Sequence, residues 1–232
     1  MKSSVSTNLL RNAAAQTNLA TLANNYGVFS GGTPASGIAQ GWEIITQPIR
    51  DYQAYPTTGF RSRSFFQQAA GSTGTNPADQ NMPAAGSFPR GQMFLWEGIE
   101  VDFQPSGAPV TSGATVDTRI NEFAAVMRGG YLTVTIGSRP YLNVGNLLQF
   151  PTSFRAAADA AMGVSSDSGS SAATLYSTNL PYAEGEVFQF IPYLLEEVVN
   201  FNVTVNYDTP VTVASDGKMG VLMNGCLIRR NQ

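Results

Sequence analysis

The chain has 232 residues, 43% hydrophobic and only 12% charged, with a net charge of −3 and a pI near 4.9. That size fits one large β-sandwich domain or two small domains pressed together, with enough apolar residues for a core. Lys2 and Lys218 are the only lysines and the eleven arginines are scattered, which argues against a protein built chiefly to grip nucleic acid.

Charged residues stand at about half of the ~25% typical of soluble domains. Ser, Thr, Asn, Gln and Gly must therefore supply the polar surface. The cores of protein interfaces are depleted of charge, so this composition suits a chain that spends its life against copies of itself. A secreted, Ser/Thr-rich β-domain is the competing reading. The opening residues Met1 to Asn8 lack the apolar stretch of a secretory signal. No run of about 18 apolar residues occurs, and Cys226 stands alone, so no intrachain disulfide forms. The expectation is a chain made and used without export.

In chain order, residues 6 to 26 read as a helix. Ser6 or Thr7 can cap it, Ala15, Leu19, Leu22, Ala23 and Tyr26 fall on one stripe, and Gly27 suits the stop. The stripe is narrow and made of small residues, so the helix is expected outside the main core, on an inner surface or against a neighbouring subunit. Capping one open end of the sandwich is the alternative place. Beyond it the pattern changes to strands between Gly/Pro/Ser-rich loops. Trp42 to Ile49 and Arg61 to Gln67 are weaker strands. From Met93 to Phe103 the apolar Met93, Leu95, Ile99, Val101 and Phe103 alternate with Gly98, Glu100 and Asp102. Tyr131 to Ile136 alternates with Leu132, Val134 and Ile136 on one face, and Tyr141 to Leu148 and Glu186 to Ile191 are further weak strands. Val199 to Tyr207 alternates most cleanly, which means one buried and one polar face. Gly220 to Ile228 is apolar on both sides, as in a strand covered on both faces. Segments 71–91, 104–115 and 163–174 read as loops. About eight unevenly spaced strands predict an all-β fold, a Greek-key or jelly-roll sandwich rather than a meander. The division is an N-terminal helical arm, 1–27, and a single jelly-roll domain, 28–232.

Most chemistry is missing. With no histidine and one cysteine, the chain has no Ser–His or Cys–His nucleophile, no histidine zinc site and no thiolate cluster. No two glycines sit two apart, and Gly217-Lys218 is followed by Met219, so neither nucleotide-loop motif is present. Glu97, Glu100 and Asp102 are the candidates that remain. Glu100 and Asp102 share a strand face, and paired carboxylates can hydrolyse glycosides, but the simpler reading is that they decorate a polar face. Arg61/Arg63 and Arg229/Arg230 read as solvated or interface pairs, Glu196-Glu197 as a loop or strand edge, and Asp208 and Asp216 lack EF-hand spacing. The expectation is a non-enzyme with no catalytic residue, no cofactor-binding residue and no metal site.

A resemblance adds to this. YLTVTIGSRPYLNVGNLLQFP (Tyr131 to Pro151), the closing FNVTVNYDTPVTVASDGKMGVLMNGCLIRR (Phe201 to Arg230) and FLWEGIEVDF (Phe94 to Phe103) resemble strands of jelly-roll capsid proteins of tailless icosahedral bacteriophages of the internal-membrane type. The likeness covers about half of the chain, which is shorter than the double jelly rolls of that group, so a single jelly roll is expected. It implies a structural virion protein, made in the host cytoplasm, that assembles through trimers or six-fold capsomers into an icosahedral shell. Its partners would be copies of itself, other virion proteins and in many such shells an internal membrane, with no sequence-specific nucleic acid. The competing functions are a carbohydrate-binding or adhesin-type spike domain and a glycosidase using Glu97 or Glu100.

Overall fold

The computed structural model describes residues 2–34, 37–72, 76–105, 113–150, 155–158, 161–165, 172–176, 179–182 and 188–231. Two antiparallel sheets face each other. The first contains β1 (Trp42–Thr46), β2 (Ile49–Tyr55), β4 (Gln92–Gln104), β11 (Phe188–Leu195) and β13 (Gly217–Arg230). Its order is β1-β13-β4-β11, with β2 following β1 along the same edge of β13. The second sheet runs β3-β12-β5-β6, built from β3 (Ser62–Phe65), β5 (Gly130–Ile136), β6 (Arg139–Asn146) and β12 (Phe201–Tyr207). Between β6 and β11 lie two further antiparallel pairs: β7 (Arg155–Ala158) with β10 (Asn179–Tyr182), and β8 (Ala161–Ser165) with β9 (Ala172–Tyr176).

The fold is a mostly-β sandwich, as the alternating patterns require. β12 buries Phe201, Val203, Val205 and Tyr207 and turns Asn202, Thr204 and Asn206 outward. β5 does the same with Leu132, Val134 and Ile136. These meet Phe94, Trp96, Ile99, Val101 and Phe103 of β4 and Met219, Val221 and Met223 of β13 in one core. Aromatic pairs tie the layers. Tyr55 meets Phe103 edge-on with ring centroids 5.1 Å apart, and Phe88 stacks between Phe94 at 5.6 Å and Phe201 at 5.8 Å.

β4 corrects the simple alternation. Met93 and Leu95 have the same odd numbering as Ile99, Val101 and Phe103, yet they face the opposite way, outside the sandwich. The cause is a bulge. Asn224 of β13 pairs with Gly98 and the next residue, Gly225, pairs with Trp96, so Glu97 is the extra residue and the face phase flips across it. Gly225 is required there, because a Cβ would lie 1.9 Å from the Leu95 carbonyl oxygen.

The N-terminal helix α1 spans Lys2–Tyr26, starting earlier than the expected Ser6 or Thr7 cap. Gly27 ends it at φ +64°. α1 lies outside the sandwich, on the outer face of the first sheet. Leu22, Ala23, Val28 and Phe29 form with Met93, Leu194 and Ile228 a cluster separate from the main core. Asn18 Nδ2 donates to the Pro192 carbonyl at 2.9 Å, and Tyr26 Oη donates to Glu196 Oε2 at 2.5 Å.

Two expectations fail. A second helix, α2 (Gly113–Gly129), fills a stretch that showed no assigned period, and it buries Val126 and Met127 in the sandwich core. Its signal was present: Val116, Ile120, Phe123 and Met127 are spaced four, three and four apart. It also takes the tail of the expected loop 104–115. The expected loop 163–174 is cut into by β8 and β9, whose Ala/Ser/Gly-rich sequence resembles turn composition.

Candidate functional site

The carboxylates singled out in the sequence lie on β4, and the bulge separates them. Glu97, the inserted residue, is exposed. Glu100 and Asp102 share the outer face of the first sheet, but they do not merely decorate a solvated face, since Glu100 is 1% exposed. Asn224 Nδ2 donates to Glu100 Oε1 at 2.6 Å. Asp102 Oδ2 accepts from Tyr52 Oη at 3.1 Å and from Gln104 Nε2 at 2.9 Å. Burial pushes the Asp102 carboxyl above its usual value, the two hydrogen bonds pull it back, and the charge of Glu100 adds to the rise. The same burial, with Asp102 beside it, pushes the Tyr52 phenol up.

Gly220 makes this arrangement possible. It pairs with Tyr52 on one side and Asp102 on the other. A Cβ at Gly220 would lie 2.3 to 2.6 Å from Tyr52 ring atoms, so the bare backbone lets the ring lie across β13 and reach Asp102. The nearby cations are engaged elsewhere. Arg50 donates to the Ala78 and Pro77 carbonyls at 3.0 and 3.4 Å, and Lys218 pairs with Asp79 at 2.8 Å. A general acid and base need access to substrate, and a carboxylate covered to 1% exposure and held by an amide is a poor candidate for either role.

A second buried carboxylate escaped the sequence reading. Asp51 is 3% exposed on the inner side of β2. Its Oδ2 accepts the Phe66 backbone N–H at 2.6 Å and Gln53 Nε2 at 2.9 Å. Phe66 stands at φ +64°, a strained conformation for a bulky residue, and Asp51 holds its amide where β3 ends. Burial raises the Asp51 carboxyl above its usual value, against the two hydrogen bonds and with help from Asp79. No spacing rule marks this residue, because the Phe66 N–H that it holds lies 15 residues on, just past the end of β3.

The paired arginines have local roles. Arg63 donates to the Ala54 carbonyl and lies over the Phe60 ring at 4.6 Å. Arg229 pairs with Glu43, and Arg230 lies over Trp42 at 4.9 Å. Glu196 and Glu197 do follow a strand, β11, where they accept from Tyr26 and from the Gly91 N–H. Asp216 Oδ1 accepts the Thr57 N–H at 2.9 Å. Among the described residues no group of three or more carboxylates and cysteines is placed to hold a metal ion, and no described helix is long and apolar enough to cross a membrane.

A groove of about 290 Å³ opens at one end of the second sheet, lined by Gln67, Ala85, Gly86, Thr135, Gly137, Asn200, Phe201 and Asn202. None of the candidate carboxylates lines it. The chain matches no protein-family model, no curated protein and no solved structure.

Proposed function

We propose that the sandwich is a jelly roll and that the chain is a non-enzymatic structural subunit that assembles with copies of itself into a shell, like the capsid proteins its strands resemble. The carrying observation is the strand pairing. Taking β1 and β2 together as the first of eight strands, the first pairs with the last, β13, β3 with β12, β4 with β11, and β5 with β6. Those four nested pairs are one long antiparallel ribbon. The remaining contacts, β13 with β4 and β12 with β5, are what rolling that ribbon into two sheets produces. Jelly rolls occur in capsid, lectin and cupin proteins, and fold alone does not choose among them.

Three features favour the structural role. The charge is only 12% of the chain, Glu100 and Asp102 are locked in internal hydrogen bonds, and α1 lies outside the core where a neighbouring subunit could meet it. Association through one repeated surface patch is the usual route to closed homo-oligomers. Sedimentation velocity on the purified protein over a range of concentrations tests the assembly. Trimers or six-fold clusters are expected, and a 24.7 kDa species alone at the highest concentration overturns the reading.

A further inference from the structure

We propose that the groove at the end of the second sheet, with the polar outer face that runs from it, binds a neutral sugar. The inference rests on the groove's own chemistry and stands whether or not the chain assembles.

The groove is built on fixed backbone. Gly86 N–H donates to the Phe66 carbonyl at 2.7 Å, Phe201 N–H to the Gly86 carbonyl at 2.8 Å, and Gly137 N–H to the Asn200 carbonyl at 2.7 Å. Gln67 is set in place by its own amide, whose two protons are shared among the Phe65 and Phe201 carbonyls at 3.2 Å each and Asn202 Oδ1 at 3.3 Å. A Cβ on Gly86 would lie 3.2 Å from Gln67 Oε1, so glycine at that position leaves room around this acceptor. Thr135 and Asn200 add a hydroxyl and a second amide at the rim. Together these groups donate and accept without carrying charge.

That chemistry selects the ligand. No lining residue is charged, so nothing there compensates a phosphate, a carboxylate or an ammonium. Phe201, the one lining aromatic, is 3% exposed, which leaves little apolar surface for a hydrophobic ligand. A molecule rich in hydroxyls, with donors and acceptors and no net charge, is what remains. A volume of about 290 Å³ lies at the lower end of ligand-site sizes, suited to a small sugar unit.

The outer face of the second sheet extends the site. Ser62 Oγ donates to Asn206 Oδ1 at 2.8 Å, Asn202 Nδ2 to Ser64 Oγ at 3.2 Å, and Asn206 Nδ2 to Thr133 Oγ1 at 3.2 Å. These bonds order an uncharged row of hydroxyls and amides across three strands. Tyr131, 37% exposed, stands at the far end of β5, about 20 Å from Gly137 at the rise of a strand. A longer neutral glycan could follow the row from the groove toward that ring.

Saturation-transfer NMR on the full chain tests this, with glucose, galactose, N-acetylglucosamine and maltose as probes. The signal is read on the free sugar, so it can be recorded whether the chain is a single copy or an assembly. Transfer to at least one probe is expected, with loss of that transfer in an Asn200→Ala/Thr135→Val double variant whose melting is unchanged. Ala85→Trp, an exposed rim substitution that fills the groove, should abolish it as well. No transfer to any of the four probes, or undiminished transfer in both variants, overturns the proposal.

Discussion

Replacing Asp51 by asparagine should stabilise the protein at neutral pH and change little in acid. The carboxyl is 3% exposed and takes part in neither ion pair found among the described residues, Lys218–Asp79 and Arg229–Glu43. Desolvation is the larger influence and raises its pKa in the folded state, against the hydrogen bonds from Phe66 and Gln53. The sign follows. The folded protein holds the Asp51 proton more tightly than the unfolded chain, whose carboxyl titrates near 3.9. Below that value both states are protonated and the residue costs nothing. As pH rises through the unfolded value toward the raised folded one, stability is lost, by about 1.4 kcal/mol for each pKa unit of difference. Asparagine keeps an oxygen for the Phe66 N–H and carries no charge, so it escapes this loss. Asp51→Ala removes the acceptor and leaves a buried amide unpaired at a residue with 0% exposure, which costs about 1–3 kcal/mol relative to asparagine. Urea unfolding of the three proteins from about pH 3 to pH 7 measures this across the carboxylate range. A constant gap between wild type and Asp51→Asn, or a gap that favours wild type as pH rises, would refute the assignment of a raised pKa.

Gly220→Ala should destabilise by about 1–3 kcal/mol, the usual cost of overpacking, because its Cβ would lie 2.3 Å from the Tyr52 ring; denaturant unfolding checks it, and a neutral result means the ring moves freely. Leu22, 1% exposed in a cluster of seven buried residues, should cost about 2–3 kcal/mol as Leu22→Ala, near the low end for buried leucine, whereas assembly measured by light scattering should respond more than β-sheet circular dichroism. Deleting residues 1–26 should leave a cooperatively melting β-domain, since the main core excludes α1, but with a lower melting temperature and more aggregation as Met93, Leu194 and Ile228 lose their cover; failure to fold would place the helix in the folding core. The triple variant Glu97→Gln/Glu100→Gln/Asp102→Asn should still assemble, as judged by sedimentation, and loss of a hydrolytic activity in that variant would favour the glycosidase reading.

What was legible depended on whether a residue's role was written in its neighbours. β12 and β5 could be read directly, because a period of two along one segment is enough to name a buried face. The run Gly220 to Ile228 is apolar on both sides, and the structure covers both: Leu222 and Ile228 are buried on the outer face while Val221 and Met223 lie in the core. The phase flip in β4 was not legible, since the bulge exists only relative to β13. The burial of Glu100 was missed for the same reason: Asn224, which holds it, lies 124 residues away. α2 carries a helical spacing, but its first residues, Gly113 to Thr115, continue the Gly/Pro/Ser/Thr-rich composition of 104–112 and so look like loop. Asp51 and the groove are tertiary. The Phe66 amide, Gln67, Gly86 and Asn200 meet only when β3, β12 and the loop before β4 are brought together.

Electron microscopy of the purified full chain tests self-assembly most directly. Uniform capsomers or closed shells of constant diameter are predicted, built without nucleic acid and independent of any sugar. A field of dispersed particles no larger than a single 24.7 kDa chain, persisting at high protein concentration, would contradict it.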